Sequence, residues 1–224
     1  MALIEEGGKT LIPKFAIFDM DGTLLDSMWM WENVAKLFLL RHGVAAPADV
    51  NQRVRNMSVE QAADYFRSLG VRLPAVEIVQ GIHRIPAEWY QNEAALKPKA
   101  KAFVEKLHRA GTRLCVATAT EEGCARTALK RVGLLDRFSF LLTCGGIGKG
   151  KDEPDIYLEC ARRFGAKPQD VLVFEDSLYC IRTARAAGFP VVGVRDTASR
   201  QEEDEIRKLC SAVLDFGEAP GKPF

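Results

Sequence analysis

Two short apolar runs in this chain end in paired acids. Phe15-Ala16-Ile17-Phe18 leads into Asp19-Met20-Asp21-Gly22-Thr23, and Val171-Leu172-Val173-Phe174 leads into Glu175-Asp176-Ser177. Residues two apart in an extended chain project to the same side, so Asp19 and Asp21 leave the strand end together. Like charges that close are costly unless a cation neutralises them. Two other segments add complementary groups. Leu114-Cys115-Val116-Ala117 runs into Thr118-Ala119-Thr120, which offers hydroxyls, and Lys151 stands ahead of a helix whose start is marked by Pro154. Taken alone, the first acidic pair also reads as a solvated turn, with Gly22 allowing the chain to bend. If the strands carrying them are neighbours, Asp19, Asp21, Glu175 and Asp176 form an all-oxygen cluster that suits Mg²⁺ rather than zinc.

The elements that must position these groups are legible as apolar runs bounded by charge, Gly or Pro. Besides the three above they are Phe138 to Leu142, Val191 to Val194 and, more weakly, Ala212 to Leu214. Helical patterns separate them. The segment Lys99 to Arg109 places Phe103 and Leu107 on one face, and Thr183 to Ala187 ends at Gly188 as at a C-cap. Strand and helix in alternation predict an α/β fold, a doubly wound parallel sheet covered on both faces. Ligands in such sheets bind outside the C-terminal strand ends, where the winding reverses. Residues 27–96 break the alternation with helical periodicity alone. Ser58-Val59-Glu60-Gln61 matches a capping box opening a helix through Leu69 that Gly70 ends, and Pro47, Pro74 and Pro86 punctuate the remainder. The expected organisation is an α/β core of residues 1–26 and 97–224, interrupted by a helical cap domain, residues 27–96.

The strings DMDGTLLDS, ATAT, KDEPDIY and VFEDS resemble, in order and context, the four motifs of the haloacid dehalogenase-like hydrolase superfamily. They are most similar to its β-phosphoglucomutase and phosphoglycolate-phosphatase branch, which carries a helical cap at the same place. The resemblance implies a Mg²⁺-dependent phosphatase acting on a small phosphorylated metabolite. Asp19 would be the nucleophile, forming an aspartyl-phosphate; a carboxylate needs no general base at neutral pH. Asp21 would protonate the leaving alcohol and then deprotonate water. Thr118, Ala119 and Lys151 would hold the phosphate oxygens. Mg²⁺ would be held by Asp19, the main-chain carbonyl of Asp21 and Asp176, with Glu175 in support.

Other features bound the alternatives. Gly145-x-x-x-x-Gly150-Lys151 superficially matches a P-loop, but Asp152 stands where a metal-binding hydroxyl belongs and Pro154 follows. Lys149 rivals Lys151, whose spacing to Pro154-Asp155-Ile156 favours it. Met28, Trp29, Met30 and Trp31 read as cap core or as the wall of a substrate pocket. Mutase-like relatives carry a catalytic histidine where counting puts Trp31, which weighs against a phosphosugar mutase. Arg55 falls where the cap's specificity loop lies and could meet a second anionic group. Tyr179 and Cys180 replace the small residue and glycine usual after the second acidic pair. The three histidines, His42, His83 and His108, sit in charged helical surroundings and read as surface residues.

A formal net charge of +1 gives no electrostatic reason to expect nucleic acid. No apolar stretch nears the ~18 residues of a spanning helix, and the acidic N-terminus does not resemble a secretory signal. The six cysteines include no C-x-x-C pair and read as free thiols of a reducing compartment. A cytoplasmic enzyme is expected, monomer or small homo-oligomer. A catalytically silent binding protein on the same scaffold is the reading from another class.

Overall fold

The computed structural model describes residues 5–6, 9–10, 12–54, 57 and 59–217. The described chain begins with two short antiparallel strands, β1 (Glu5–Glu6) and β2 (Lys9–Thr10), then β3 (Phe15–Phe18). Four helices follow: α1 (Met28–Arg41), α2 (Val50–Val54), α3 (Val59–Ser68) and α4 (Ala75–Asn92). The remainder alternates: α5 (Ala100–Arg109), β4 (Arg113–Thr118), α6 (Glu122–Arg131), β5 (Phe140–Thr143), α7 (Cys144–Ile147), α8 (Asp155–Phe164), β6 (Val171–Glu175), α9 (Leu178–Ala186), β7 (Val191–Val194), α10 (Glu203–Leu209) and β8 (Ala212–Leu214).

The chain divides into two compact units, residues 1–28 with 94–224, and residues 29–93. The first is built on a six-stranded parallel sheet in the order β5-β4-β3-β6-β7-β8. The winding moves outward from β3 to β5, then restarts at β6 on the other side of β3. That reversal puts the strand ends of β3 and β6 side by side. β3 and β6 are buried along their whole length, because helices lie on both faces. On one face Phe15, Ile17, Cys115 and Val173 pack against Tyr157, Cys160 and Phe164 of α8 and Ile181 of α9. On the other, Phe18 stacks on Phe174 at 4.3 Å, and Phe103 of α5 meets both edge-on. Phe103 and Leu107 are buried together, and Gly188, at φ 88°, follows α9 as expected of a C-cap region.

β5 starts at Phe140 rather than Phe138. A 3₁₀ turn over Leu135–Arg137 precedes it, and Phe138 N–H still bonds the carbonyl of Leu135, so the first residues of the apolar run finish the turn. All six cysteines are free, and the three histidines are exposed.

The second unit packs Ala35, Phe38 and Leu39 of α1 against Phe66 of α3 and Ile78 and Ile85 of α4. Gly70, at φ 112°, lies just past the end of α3; Ser58 of the expected capping box is outside the described residues. Pro74 stands at the start of α4, but Pro86 does not punctuate. It lies buried inside α4. A proline there removes one helix hydrogen bond and crowds the preceding turn; the helix continues because Ile85, Pro86 and Trp89 belong to its buried face. No helix among the described residues is long and apolar enough to cross a membrane.

Candidate active site

Register places the first acid of each pair level. Phe18 pairs with Phe174, and Asp19 N–H donates to the carbonyl of Phe174 at 3.0 Å, which carries the ladder one residue further. Asp19 and Glu175 therefore face each other across the β3–β6 crevice. Carboxylate oxygens of Asp19, Glu175 and Asp176 all lie within 4.8 Å of one another, and all three residues are buried. The donors are hard oxygens, which fit Mg²⁺.

Lys151 reaches this cluster from the loop before α8. Its ammonium donates to Asp19 Oδ1, and to Glu175 Oε1 at 2.6 Å. Tyr157 O–H donates to the same Oε1 at 3.0 Å. Glu175 Oε2 accepts the main-chain N–H of Asp176 at 3.1 Å and of Ser177 at 3.5 Å. Both Glu175 oxygens are thus occupied by donors. Lys149 instead pairs with Asp155 on the surface, its side chain half exposed. The glycine segment before Lys151 is a short helical turn, α7, whose Gly146 N–H donates to Thr143 Oγ1.

Gly22 has φ 81°, and a Cβ there would stand 2.3 Å from Asp176 Oδ2. A side chain is excluded on both counts. Thr23 O–H donates to Asp176 Oδ1 at 3.0 Å, so the turn after β3 buttresses the acid after β6. Asp21 is held apart from the three-carboxylate cluster. Its Oδ1 accepts Ser27 O–H at 2.7 Å and its Oδ2 accepts Thr120 O–H at 2.6 Å. Thr118, the last residue of β4, is buried, and its Oγ1 accepts the N–H of Thr120 at 3.0 Å. Ala119 follows in the same turn.

The electrostatics express an excess of negative charge. Burial, with Glu175 and Asp21 nearby, pushes Asp19 up to about 7 in spite of Lys151. Burial first, then Glu175 and Asp19, holds Asp176 well above the ordinary carboxylate range. Burial works against the Lys151 ammonium, and the carboxylates of Asp19 and Glu175 outweigh it, so its pKa lies well above that of a free lysine.

The structure therefore brings Asp19, Lys151, Glu175 and Asp176 into direct contact or close range, and joins Asp21 and Thr118 to each other through Thr120. Trp31 belongs to the second unit, where its N–H donates to Tyr90 O–H at 3.0 Å and its ring lines a cavity of about 580 Å³ with Val34, Phe66, Ile82 and His83. Arg55 lies outside the described residues. Tyr179 is exposed on the first turn of α9, and Cys180 is buried there. Thr120 was read only as a hydroxyl at a strand end, and three supporting residues had no assigned role from sequence: Thr23, Ser27 and Tyr157. Each lies inside or beside a motif string, but nothing in the strings says which acid it serves.

A family model for haloacid dehalogenase-like hydrolases matches residues 13–188. The chain belongs to this family, and within it to the phosphatases, hydrolases acting on phosphoric monoesters. It is 31% identical over 209 residues to a probable pseudouridine-5'-phosphatase of Drosophila melanogaster, covering 89% of this chain and 90% of that protein. It is 29% identical over 190 residues to hexitol phosphatase A of Escherichia coli, covering 85% and 87% respectively. Among solved structures, a putative β-phosphoglucomutase from Thermotoga maritima superposes with a TM-score of 0.76 at 22% identity, covering 91% of this chain and 94% of that one; this likeness concerns the fold.

Proposed function

We propose that the chain hydrolyses a small phosphorylated metabolite, of sugar, polyol or glycolate phosphate type, through an aspartyl-phosphate on Asp19. The observation that carries this reading is the buried cluster of Asp19, Glu175 and Asp176 with the Lys151 ammonium among them. Asp19 presents one carboxylate oxygen to Lys151, leaving the other to attack phosphorus in line. Lys151 has three N–H donors, two of which are used, and the third is available to a phosphate oxygen. Thr118, whose Oγ1 accepts from Thr120 N–H, keeps its own proton to donate to the same group, with the main chain at Ala119 beside it.

Asp21 is the proton carrier. Its carboxyl group, held from both sides by Ser27 and Thr120, enters as the carboxylic acid and gives its proton to the leaving alcohol oxygen as the ester P–O bond breaks. As the carboxylate thus formed, it takes a proton from the water that attacks the acyl phosphate. Mg²⁺, when bound by Asp19, Asp176 and the main-chain carbonyl of Asp21, with Glu175 in support, neutralises anionic nucleophile and anionic substrate alike. The curated relatives support a phosphorylated small molecule as substrate, among them the hexitol phosphatase and a phosphoglycolate phosphatase of Xylella fastidiosa.

Residues 27–96 act in this reading as the cap that selects the organic part of the substrate, with Trp31 and Arg55 as its contacts, on a core of 1–26 and 97–224. The enzyme works in the cytoplasm as a monomer or small homo-oligomer, free of nucleic acid and membrane. The test is phosphate release from 4-nitrophenyl phosphate and a panel of sugar, polyol and glycolate phosphates. Turnover must require Mg²⁺ and vanish in Asp19→Asn; persistence in that variant sinks the reading.

A further inference from the structure

The buried side of α8 carries one polar group that the chemistry above does not use. Tyr157 is 1% exposed, and its neighbours along the helix, Ile156, Cys160 and Phe164, are apolar. A phenylalanine would fill the same space. A hydroxyl taken into such a core is unfavourable unless it is bonded, and this one is aimed at a single atom, Glu175 Oε1, at 3.0 Å. The same oxygen receives Lys151 at 2.6 Å, and the ammonium also lies 5.9 Å from the centre of the Tyr157 ring. The opposite oxygen of Glu175 is fixed by the N–H groups of Asp176 and Ser177.

We propose that Tyr157 is a positioning residue: its hydroxyl, acting through Glu175, sets where the Lys151 ammonium stands relative to Asp19. The inference rests on the role given to Lys151 above. With the phenol in place, Glu175 is held at both oxygens and offers Lys151 one fixed acceptor direction. Without it, Oε1 has only the ammonium to hold it, and the two groups can shift together. Small displacements of a charge that meets the transferred phosphoryl group are costly in rate. The hydroxyl's own neutral-to-charged hydrogen bond has modest worth, so the expected effect is a fraction of the lysine's.

The experiment is a double-mutant cycle on the whole chain, with Tyr157→Phe and Lys151→Met. Tyr157→Phe is expected to lower kcat/KM for 4-nitrophenyl phosphate and weaken binding of inorganic phosphate, measured by calorimetry with Mg²⁺, each by about three- to tenfold. In the Lys151→Met background the same change is expected to have no effect on phosphate binding. An equal loss in both backgrounds, or no loss with Lys151 present, overturns the proposal. A Tyr157→Phe protein that melts lower but binds phosphate as the parent does also overturns it, since that result makes the hydroxyl purely structural. Absence of ester turnover in the parent chain would count against the proposed function instead, and the phosphate-binding arm reads Tyr157 independently of it.

Discussion

Lys97 and Lys151 are both buried and both donate to carboxylates, yet their surroundings differ in charge balance. Lys97 gives one hydrogen bond to Asp196 Oδ2 and one to the carbonyl of Arg195, each at 2.7 Å, and the side chains of Lys97 and Asp196 are 0% and 1% exposed. The other oxygen of Asp196 accepts the N–H of Ala198 at 2.9 Å. That pair is one positive charge against one negative, with further hydrogen bonds from each partner to main chain. Lys97 N–H also bonds the carbonyl of Leu24 at 2.9 Å, which ties the two ends of the chain that leave the core for residues 29–93. Lys151 instead faces Asp19 and Glu175 directly, with Asp176 in the same cluster. Burial alone does not mark a site. An unbalanced buried charge points to one, because the excess must be relieved by a bound cation or by a proton.

The sharpest break in this comparison is Asp19→Asn. It removes the nucleophile and is expected to reduce phosphate release to background, while the metal-free protein melts no lower than the parent, since a crowded negative charge has gone. Asp21→Asn comes next, with kcat expected to fall about 10²–10⁴-fold, the usual worth of an acid–base group, and the fold unchanged. Asp196→Ala should behave in the opposite way to Asp19→Asn. It strands the Lys97 ammonium in the core, and chemical denaturation should show a loss of about 3–5 kcal/mol.

Gly22→Ala sharpens the contrast more gently. The new methyl meets Asp176 Oδ2, and the positive φ adds backbone strain of about 1–3 kcal/mol. Weaker Mg²⁺ binding should accompany the lower melting temperature. The smallest effect, taken per pH unit, is a pH slope. Asp19 is raised to about 7 in the fold from an ordinary value of 3.8, so the folded state binds the extra proton between those values. Stability of the metal-free protein should therefore fall as pH rises from about 4 to about 7, by at most about 1.4 kcal/mol per unit for this one group. Saturating Mg²⁺ should flatten that slope, and a flat slope without metal would refute the assignment of Asp19 as the uncompensated charge.

Much of the fold was legible because its signals are local. Phe15–Phe18, Val191–Val194 and Ala212–Leu214 are apolar runs short enough to be strands, and each is a strand over those same residues. Errors arose where a local signal had two physical meanings. Pro86 reads as a breaker by propensity, but a buried helix face can hold it. Phe138 reads as the start of a strand, but a 3₁₀ turn already claims its N–H. In the site, the acids and Lys151 announce themselves by type and spacing, whereas Thr23, Ser27, Thr120 and Tyr157 are small polar or aromatic residues of kinds found throughout the chain.

By itself the sequence determined which side chains could do chemistry and that the acids and Thr118 sit at strand ends with Lys151 ahead of a helix, since apolar runs and turn residues act over a few positions. Only the tertiary structure decided the partnerships. Asp19 and Asp176 are far apart in the chain, and their approach depends on β6 restarting beside β3 and on Gly22 having no Cβ. The choice of Lys151 over Lys149 as the lysine that meets Asp19, and the occupation of Glu175 Oε1, follow from packing of α8 against that sheet. Hydrogen bonds are directional and short in range, so which residues they join is settled where the chain returns to itself.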